Sequence, residues 1–261
     1  MTGQTMVTRP MRPAERQDRI RDHLIRFGGA SCVQLAEVFS VSEETIRRDL
    51  AALEERGQAM RVHGGARALT AKGMPHIDLR VGAEREAKEH IARLAHGLLR
   101  PGMSVFFSGG STALATAWEA RHHPPIVATS VMVDIMIVLA MGGQTDLTLC
   151  GGQFDQQARA SYGFEAMEIV SRRVFDIAFM GASGFDITRG LLGPTDHHLQ
   201  MAQVVRRQSR KFVVLASHTA LQRSDQFSIM PISGIDLIVT DQPPPSAIYA
   251  MLETNGVEIL Y

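Results

Sequence analysis

The sequence is poor in cysteine and contains no long apolar run. Its 261 residues include two cysteines, Cys32 and Cys150, which lie too far apart for a C-x-x-C motif. This usage excludes a disulfide framework and a zinc ribbon, and it suits a reducing compartment. No apolar run reaches the length of about 18 residues that a transmembrane helix needs, and the beginning of the sequence lacks the apolar segment of a signal peptide. We therefore expect a cytoplasmic protein without membrane contact.

The chain also lacks an excess of charge of either sign. It carries 27 basic and 27 acidic residues, so the whole molecule is not a polycation. The first 70 residues hold 11 arginines, no lysine and 9 acidic residues, which gives this part a small positive charge. Any nucleic-acid surface must therefore be a local patch on one small module. The apolar content of 45% suits one large domain or two smaller ones.

A small helical module is predicted over residues 13–68. Three helices begin at residues that favour a helix start: Pro13, Ser31 and Ser42. Gln34 completes a capping box at the second helix. Glycines stop the first helix at Gly28-Gly29 and the third at Gly57, and a short strand with a glycine turn follows over residues 60–66. This order predicts a winged helix-turn-helix domain.

The remainder alternates between strand and helix patterns after a predicted linker over residues 69–83. A helix is predicted over 84–99. Strands are then predicted over 104–107, 126–128, 146–150, 176–180, 212–216, 235–239 and 257–260, and helices over 111–120, 131–140, 164–171, 199–209 and 246–254. Such alternation predicts an α/β domain over 84–261, with a mostly parallel sheet covered on both faces.

The third predicted helix carries the residue types of a DNA recognition helix. Ser42 and Thr45 place hydroxyls beside the N–H groups at its start, and Arg47 and Arg48 offer bidentate contacts to phosphate or guanine. The alternative is an ordinary surface helix whose arginines pair with acidic neighbours, namely Asp49, Glu54 or Glu55. The predicted DNA-binding residues are Ser42, Glu43, Thr45, Arg47, Arg48, Arg61 and His63.

These motifs resemble the DeoR family of bacterial transcription regulators. The resemblance rests on the helix sequence over 42–50 and on the Arg61-Val62-His63-Gly64-Gly65-Ala66 wing, and it continues more loosely beyond residue 68. It implies an N-terminal domain that binds operator DNA. It also implies a C-terminal domain with a fold similar to ribose-5-phosphate isomerase and glucosamine-6-phosphate deaminase, which senses a phosphorylated sugar.

A second motif, Ser108-Gly109-Gly110-Ser111-Thr112, directly follows a predicted strand and opens a predicted helix. Glycines allow backbone N–H groups to approach an anion, and a helix N-terminus favours negative charge. A turn of this kind also occurs without any ligand. Its resemblance to the D-x-G-T-T loop of the family favours the phosphate site, with Ser108 in place of the aspartate and Ser111 in place of the first threonine.

Three further strand ends are predicted to converge at the carboxyl edge of the sheet. They contribute the remaining predicted effector-binding residues: Ser130, Gly151, Gly152, Gly181 and Ser183. Asp176, at a strand start, is a weaker candidate that either holds a loop or lines the crevice. Each of these turns, taken singly, is also compatible with a tight turn that binds nothing.

The sequence departs from the resembling family where the family carries a glutamate and lysines. The corresponding positions hold His198, Ala202 and Ala220. An effector phosphate then has to rely on backbone N–H groups, on serine and threonine, and on the side chains of His197, His198, His218 or Arg223. The missing lysines also argue against isomerase or deaminase chemistry, which needs a positioned acid and base.

The sequence therefore predicts a homo-oligomeric, DNA-binding regulator with a loop suited to an anion. The family resemblance implies that this regulator is a repressor of a carbohydrate operon controlled by a phosphorylated sugar. Two alternatives stay open: a sugar-phosphate isomerase or deaminase with an accessory helical domain, and a regulator whose second domain only oligomerises. We expect no cofactor and no metal, because the adjacent histidine pairs at 122–123 and 197–198 rarely direct both rings to one ion.

Overall fold

The computed structural model describes residues 11–27, 29–56, 58–62, 64–68 and 76–261. The chain divides into two compact units, the first ending at Leu79 and the second beginning at Arg80. In the part of the chain that is described, no helix is both long and apolar enough to cross a membrane.

The first unit is a three-helix module with a small antiparallel sheet. Its helices are α1 (Pro13–Phe27), α2 (Cys32–Phe39) and α3 (Glu43–Glu55), and its strands are β1 (Gly29–Ser31), β2 (Ala59–Val62) and β3 (Gly65–Ala68), in the order β1-β3-β2. The three predicted helices and the wing strand are confirmed, and the predicted capping box of α2 forms between Ser31 and Gln34. Strand β1 was not predicted. The predicted stop residues Gly28 and Gly57 lie outside the described residues.

The core of this unit comes from the apolar faces of the three helices. Fully buried side chains from all three meet there: Ile20, Leu24, Leu35, Ile46, Leu50 and Leu53. Because one face of α3 is committed to this core, its opposite face is left to solvent.

The second unit contains a seven-stranded parallel sheet. Its helices are α4 (Ile77–Gly82, which begins before the division), α5 (Arg85–His96), α6 (Ser111–Ala120), α7 (Val133–Met141), α8 (Phe164–Ser171), α9 (Asp196–Gln208), α10 (His218–Leu221) and α11 (Ser246–Thr254). Its strands are β4 (Ser104–Phe107), β5 (Val127–Ser130), β6 (Asp146–Leu149), β7 (Gln153–Asp155), β8 (Ala160–Tyr162), β9 (Phe175–Gly181), β10 (Gly184–Asp186), β11 (Gly190–Gly193), β12 (Ser209–Leu215), β13 (Phe227–Met230), β14 (Leu237–Val239) and β15 (Glu258–Leu260).

The strand order of the large sheet is β15-β14-β12-β9-β4-β5-β6, with every neighbour parallel. All seven predicted strands are members of it, so the prediction of a mostly parallel sheet is confirmed. Five large side chains fill its centre and are fully buried: Phe106, Phe107, Phe175, Phe179 and Phe212. Two small antiparallel groups, β7-β8 and β10-β11-β13, were not predicted.

The predicted linker over 69–83 needs a correction. Helix α4 occupies Ile77–Gly82 within it. A helix of six residues is too short to produce a recognisable apolar period, so the segment resembles an irregular connection in the sequence.

Candidate DNA-binding surface and effector site

The start of α3 is built by its own hydroxyl groups. Ser42 is the N-cap, and its Oγ accepts a hydrogen bond from the Thr45 N–H at 3.2 Å. The two hydroxyl oxygens of Ser42 and Thr45 also lie 2.9 Å apart. The hydroxyls predicted to meet DNA therefore also fix the start of the helix, which a rigid recognition element requires.

Both predicted arginines lie on the solvent face of α3. The side chain of Arg47 is 54% exposed and that of Arg48 is 80% exposed. Each forms an ion pair one turn back along the same helix, Arg47 Nη2 with Glu43 Oε2 at 2.9 Å and Arg48 Nε with Glu44 Oε1 at 3.3 Å. Exposed pairs of this spacing contribute only about 0.3–0.5 kcal/mol, so a phosphate or a base can displace them.

Two of the acidic neighbours named in the alternative interpretation, Asp49 and Glu54, have other partners. Asp49 is buried and pairs with Arg16 of α1 at 2.5 Å, and it also accepts a hydrogen bond from Gln17 at 2.9 Å. Glu54 accepts a hydrogen bond from the backbone N–H of Arg61 at 3.0 Å, which ties the wing strand β2 to α3. These contacts orient the recognition helix and leave its arginines directed outward.

The wing is the β2–β3 hairpin, in which Val62 pairs with Gly65. Arg61 lies exposed on it, as predicted for a DNA contact. His63 lies outside the described residues, so its role remains a prediction. A Cβ on Gly65 would lie 2.2 Å from the carbonyl oxygen of Ala30, and only glycine permits this approach of the hairpin to β1.

The strand order creates a switch point between β4 and β9. From β4 the chain builds β5 and β6 on one side, then crosses to build β9, β12, β14 and β15 on the other. In open parallel sheets, ligands bind outside the carboxyl ends of the strands at such a point. The predicted loop over 108–112 leaves β4 at this place.

The loop is joined to the end of β9. Ser108 donates its N–H to the Phe179 carbonyl at 2.9 Å, and its Oγ accepts the Gly181 N–H at 3.0 Å. Gly110 has φ of 137°, in the region that favours glycine, and α6 begins at Ser111. The first N–H groups of α6, including those of Ser111 and Thr112, have no carbonyl partner within the helix, so the loop and helix start present donors together.

Tyr162, which the sequence did not single out, lies against two of the predicted glycines. A Cβ on Gly109 would lie 3.5 Å from Tyr162 Oη, and a Cβ on Gly152 would lie 2.4 Å from the Tyr162 carbonyl oxygen. Gly151 precedes this contact and has open space around it. The hairpin β7-β8 thereby brings an aromatic hydroxyl to the loop.

Ser130 and Ser183 use their hydroxyls within the protein. Ser130 is fully buried, and its Oγ accepts the Met132 N–H at 3.0 Å. Ser183 donates to Asp225 Oδ2, with 2.6 Å between the oxygens. Ser130 is the last residue of β5 and Ser183 follows β9, but the Ser130 hydroxyl holds a local turn and the Ser183 hydroxyl joins its loop to Asp225.

Asp176 was predicted as a weak effector-binding residue, and the structure corrects this prediction. Its Oδ2 accepts the Ser104 N–H at 2.9 Å, at the starts of β9 and β4, and Arg210 lies 3.6 Å from its other oxygen. From here to Gly181 the strand runs about 16 Å at about 3.3 Å per residue. Asp176 therefore lies at the amino edge of the sheet, where it ties two strands together.

Arg80 is the residue at the loop that the sequence analysis missed. A Cβ on Gly110 would lie 3.9 Å from Arg80 Nη1. The Nε atom of Arg80 is buried and has no hydrogen-bond partner among the described residues. Burial lowers the pKa of Arg80, although nearby Tyr162 and Asp155 partly oppose this shift. No sequence motif marks it, because Arg80 lies about 30 positions before Gly110 in the predicted linker.

Two family models match the chain. A DeoR-like helix-turn-helix domain matches residues 16–72, and the DeoR C-terminal sensor domain matches residues 83–242. The chain belongs to the DeoR family. It is therefore a DNA-binding transcription regulator, which confirms the prediction made from its helix and wing and disfavours the isomerase or deaminase alternative.

Similar DeoR-family regulators align over nearly the whole chain. The glycerol-3-phosphate regulon repressor of Escherichia coli K12 is 28% identical over 251 residues, covering 95% of this chain and 99% of that protein. The transcriptional repressor GlcR of Bacillus subtilis is 29% identical, covering 94% and 95% respectively. The transcriptional regulator GolR of Listeria innocua is 28% identical, covering 95% and 98%.

Solved structures show weaker similarity. Ribose 5-phosphate isomerase A of Methanocaldococcus jannaschii is 19% identical with a TM-score of 0.40, covering 53% of this chain and 55% of that chain. The eIF2B beta subunit of Chaetomium thermophilum is 14% identical with a TM-score of 0.47, covering 66% and 54%.

At the two positions where the sequence analysis places the family's lysines, this chain has alanines. Ala202 and Ala220 have uncharged methyl side chains, and both are buried. Arg223, one of the predicted substitutes, pairs with Glu84 at 2.9 Å. Among the described residues, no group of three or more histidine, cysteine, aspartate or glutamate side chains could hold a metal ion.

Proposed function

We propose that the protein is a cytoplasmic repressor of a carbohydrate-use operon, and that a phosphorylated sugar bound at the loop over 108–112 controls its release from DNA. The observation that carries the sensing part is the position of this loop at the switch point between β4 and β9. The names of two relatives, a glycerol-3-phosphate regulon repressor and a transcriptional repressor, support repression as the sign of regulation.

The solvent face of α3 supports a direct role in reading the operator. Arg47 and Arg48 are exposed, and their present partners on the same helix are exposed glutamates that hold them weakly. A helix N-terminus inserted into the major groove would place Ser42, Glu43 and Thr45 near base edges and phosphates. The exposed Arg61 on the wing is available to the flanking backbone.

Phosphate contacts dominate DNA affinity, and a single module with few cations binds weakly. We therefore propose a homo-oligomer that presents two or more modules to half-sites about 10–10.5 bp apart or a multiple of this spacing. Sedimentation equilibrium and footprinting on the same operator test this part. A monomer at the concentration that protects DNA would contradict it.

The DNA-binding proposal is tested by fluorescence anisotropy with DNA from upstream of the gene. Replacing Arg47 or Arg48 with alanine should weaken operator binding by about fivefold to 150-fold, as expected for loss of a bidentate contact worth about 1–3 kcal/mol. Arg19→Ala is a matched control, because Arg19 is equally exposed and pairs with Glu15 at the same spacing on α1. Unchanged binding by both α3 variants would contradict the assignment of the recognition helix.

The sensing proposal is tested by titrating triose, pentose and hexose phosphates into the preformed DNA complex, with the unphosphorylated sugars as controls. A phosphorylated sugar should release DNA and raise the thermal stability of the free protein as its concentration exceeds its Kd. A flat response across the panel would leave the second unit with an oligomerisation role alone.

A further inference from the structure

We propose that Arg80 is the positively charged ligand of the effector's phosphate group and that Lys88 is the residue that positions it. The inference rests on the proposed function, because it assigns a phosphate contact within the sensing site described above. It adds the side chain of Arg80, which lies outside the loop and the strand ends predicted from the sequence.

The environment of the Arg80 guanidinium indicates a missing partner. Its Nε is buried without a hydrogen-bond partner among the described residues. An unsatisfied buried donor costs free energy, and a buried cation costs more unless an anion compensates it. Burial lowers the pKa of Arg80, yet a guanidinium remains protonated at any physiological pH. The fold therefore maintains a desolvated positive charge at this place.

The guanidinium is directed at the start of α6. Its Nη1 lies 3.9 Å from the position that a Cβ on Gly110 would occupy, on the side that the glycine leaves open. The helix begins at the next residue, Ser111, and contains ten residues, so its first N–H groups and its dipole favour an anion here. A phosphate placed between these groups would accept hydrogen bonds from the loop and from the planar guanidinium.

Asp155 supplies a negative charge near Arg80, yet the Nε atom of Arg80 remains without a hydrogen-bond partner among the described residues. Asp155 acts on Arg80 electrostatically, but one of its carboxylate oxygens already accepts the N–H groups of Gln157 and Ala158, at 2.9 and 3.2 Å. Burial raises the pKa of Tyr162 to about 12, so this phenol is neutral near pH 7 and can donate a hydrogen bond. The surroundings of Arg80 thus include the Tyr162 hydroxyl, which can donate to a phosphate. They also include the Asp155 carboxylate, which disfavours a second negative charge on that phosphate.

Lys88 holds the end of α4 that carries Arg80. Its side chain is buried, and its Nζ donates to the carbonyl oxygens of Arg80 and Ala83. These two hydrogen bonds hold the backbone of Arg80 and Ala83 in place. Lys88 is therefore a positioning residue.

The test measures binding of inorganic phosphate, glycerol 3-phosphate and glucose 6-phosphate to the full chain by calorimetry. Arg80→Gln should weaken binding of the phosphorylated probes that the wild type binds by about tenfold to a hundredfold, the value of hydrogen bonds to a charged group. Without ligand, this variant should melt at the same temperature as the wild type or higher, because a largely buried charge with an unsatisfied Nε donor has been removed. Arg85→Gln is the control, since Arg85 is exposed and pairs with Glu89 at 2.7 Å.

A double-mutant cycle tests the role of Lys88. Lys88→Gln should weaken phosphate binding in the wild-type background but cause no further loss in the Arg80→Gln background, because it acts through Arg80. Additive losses of phosphate affinity in the two variants would contradict the positioning role. A purely structural defect would lower the melting temperature equally in both backgrounds, and its effect on phosphate binding would not depend on Arg80.

The outcomes separate the two proposals. If a phosphorylated sugar releases DNA and binds wild type and Arg80→Gln equally, the sensing function stands and the Arg80 assignment is overturned. If inorganic phosphate binds wild type but not Arg80→Gln, while no sugar phosphate binds, the anion ligand stands and the sensing function fails. A lowered melting temperature of ligand-free Arg80→Gln, or no binding of any probe to the wild type, also overturns the Arg80 assignment.

Discussion

Replacing Asp49 with alanine should unfold the DNA-binding unit while leaving the sensor unit intact. The Asp49 side chain is only 4% exposed and pairs with Arg16 of α1 at 2.5 Å, with a further hydrogen bond from Gln17. The substitution would leave the Arg16 guanidinium, which is 11% exposed, without its counter-charge at the junction of α1 and α3. Because this junction holds α3 against α1, the orientation of the proposed recognition helix depends on it.

The expected loss is large compared with the stability available. Removing one partner of a buried ion pair costs about 3–5 kcal/mol. At about 0.05–0.15 kcal/mol per residue, a module of this length has about 3–8 kcal/mol in total. A single substitution should therefore consume most of the stability of the unit, and operator binding should be lost with it.

Hydrogen exchange measured by mass spectrometry on the full chain resolves the two units. Exchange of amides in α1 and α3 should accelerate by between about 100-fold and a few thousand-fold, at 1.4 kcal/mol for each factor of ten. Peptides from β4 and β9 should retain their protection. The double variant Arg16→Met/Asp49→Leu should regain most of the protection of α1 and α3 against exchange. In this variant an apolar pair replaces both charges, so neither charge is left buried without its partner.

Glu15→Ala provides the matched control. It removes an exposed ion pair with Arg19 on α1, for which we expect less than about 1 kcal/mol. If Asp49→Ala accelerated exchange no more than this control, the buried pair would not hold α3, and the reasoning would be refuted.

Three further predictions concern other parts of the fold. Ser42→Ala should cost about 1 kcal/mol in the stability of the DNA-binding unit, seen as faster exchange at the start of α3, because the N-cap hydrogen bond is lost. Gly65→Ala should cost about 1–3 kcal/mol and weaken operator binding, because its Cβ would overlap the Ala30 carbonyl; unchanged binding would contradict this close approach. Burial lowers the pKa of Lys88 from 10.5 to about 8, so between these pH values the unfolded chain binds more protons than the folded chain. The free energy of unfolding of the wild type, measured by denaturant titration, should therefore rise with pH in this window. The same rise should be absent from Lys88→Met.

The parallel sheet could be predicted from sequence because each of its strands is a short apolar run bounded by turn residues and separated from the next by a helical pattern. The small antiparallel strands could not. Strands such as Gln153–Asp155 and Gly184–Asp186 contain three residues, and this is too short for an alternating pattern to stand out. They matter because the hairpin that includes Ala160–Tyr162 carries the tyrosine beside the loop.

The effector site could be predicted in part. The loop over 108–112 has its own sequence signal, a glycine turn between a strand and a helix, whereas Arg80 depends on a tertiary approach across about 30 positions. The correction for Asp176 was accessible from the sequence. A strand predicted to begin there, parallel to the strand that ends at Phe107, already places Asp176 at the opposite edge from Ser108.

If α3 enters the major groove as proposed, the glutamates that pair with its arginines should also affect how the regulator searches a genome. On an arbitrary duplex, Glu43 and Glu44 would approach the sugar-phosphate backbone and repel it, which should shorten residence on random sites. At a site that presents a cytosine amino group, the same carboxylate would accept a hydrogen bond, and a contact would replace the repulsion. The two acids would therefore sharpen discrimination between targets at the expense of overall attraction to DNA.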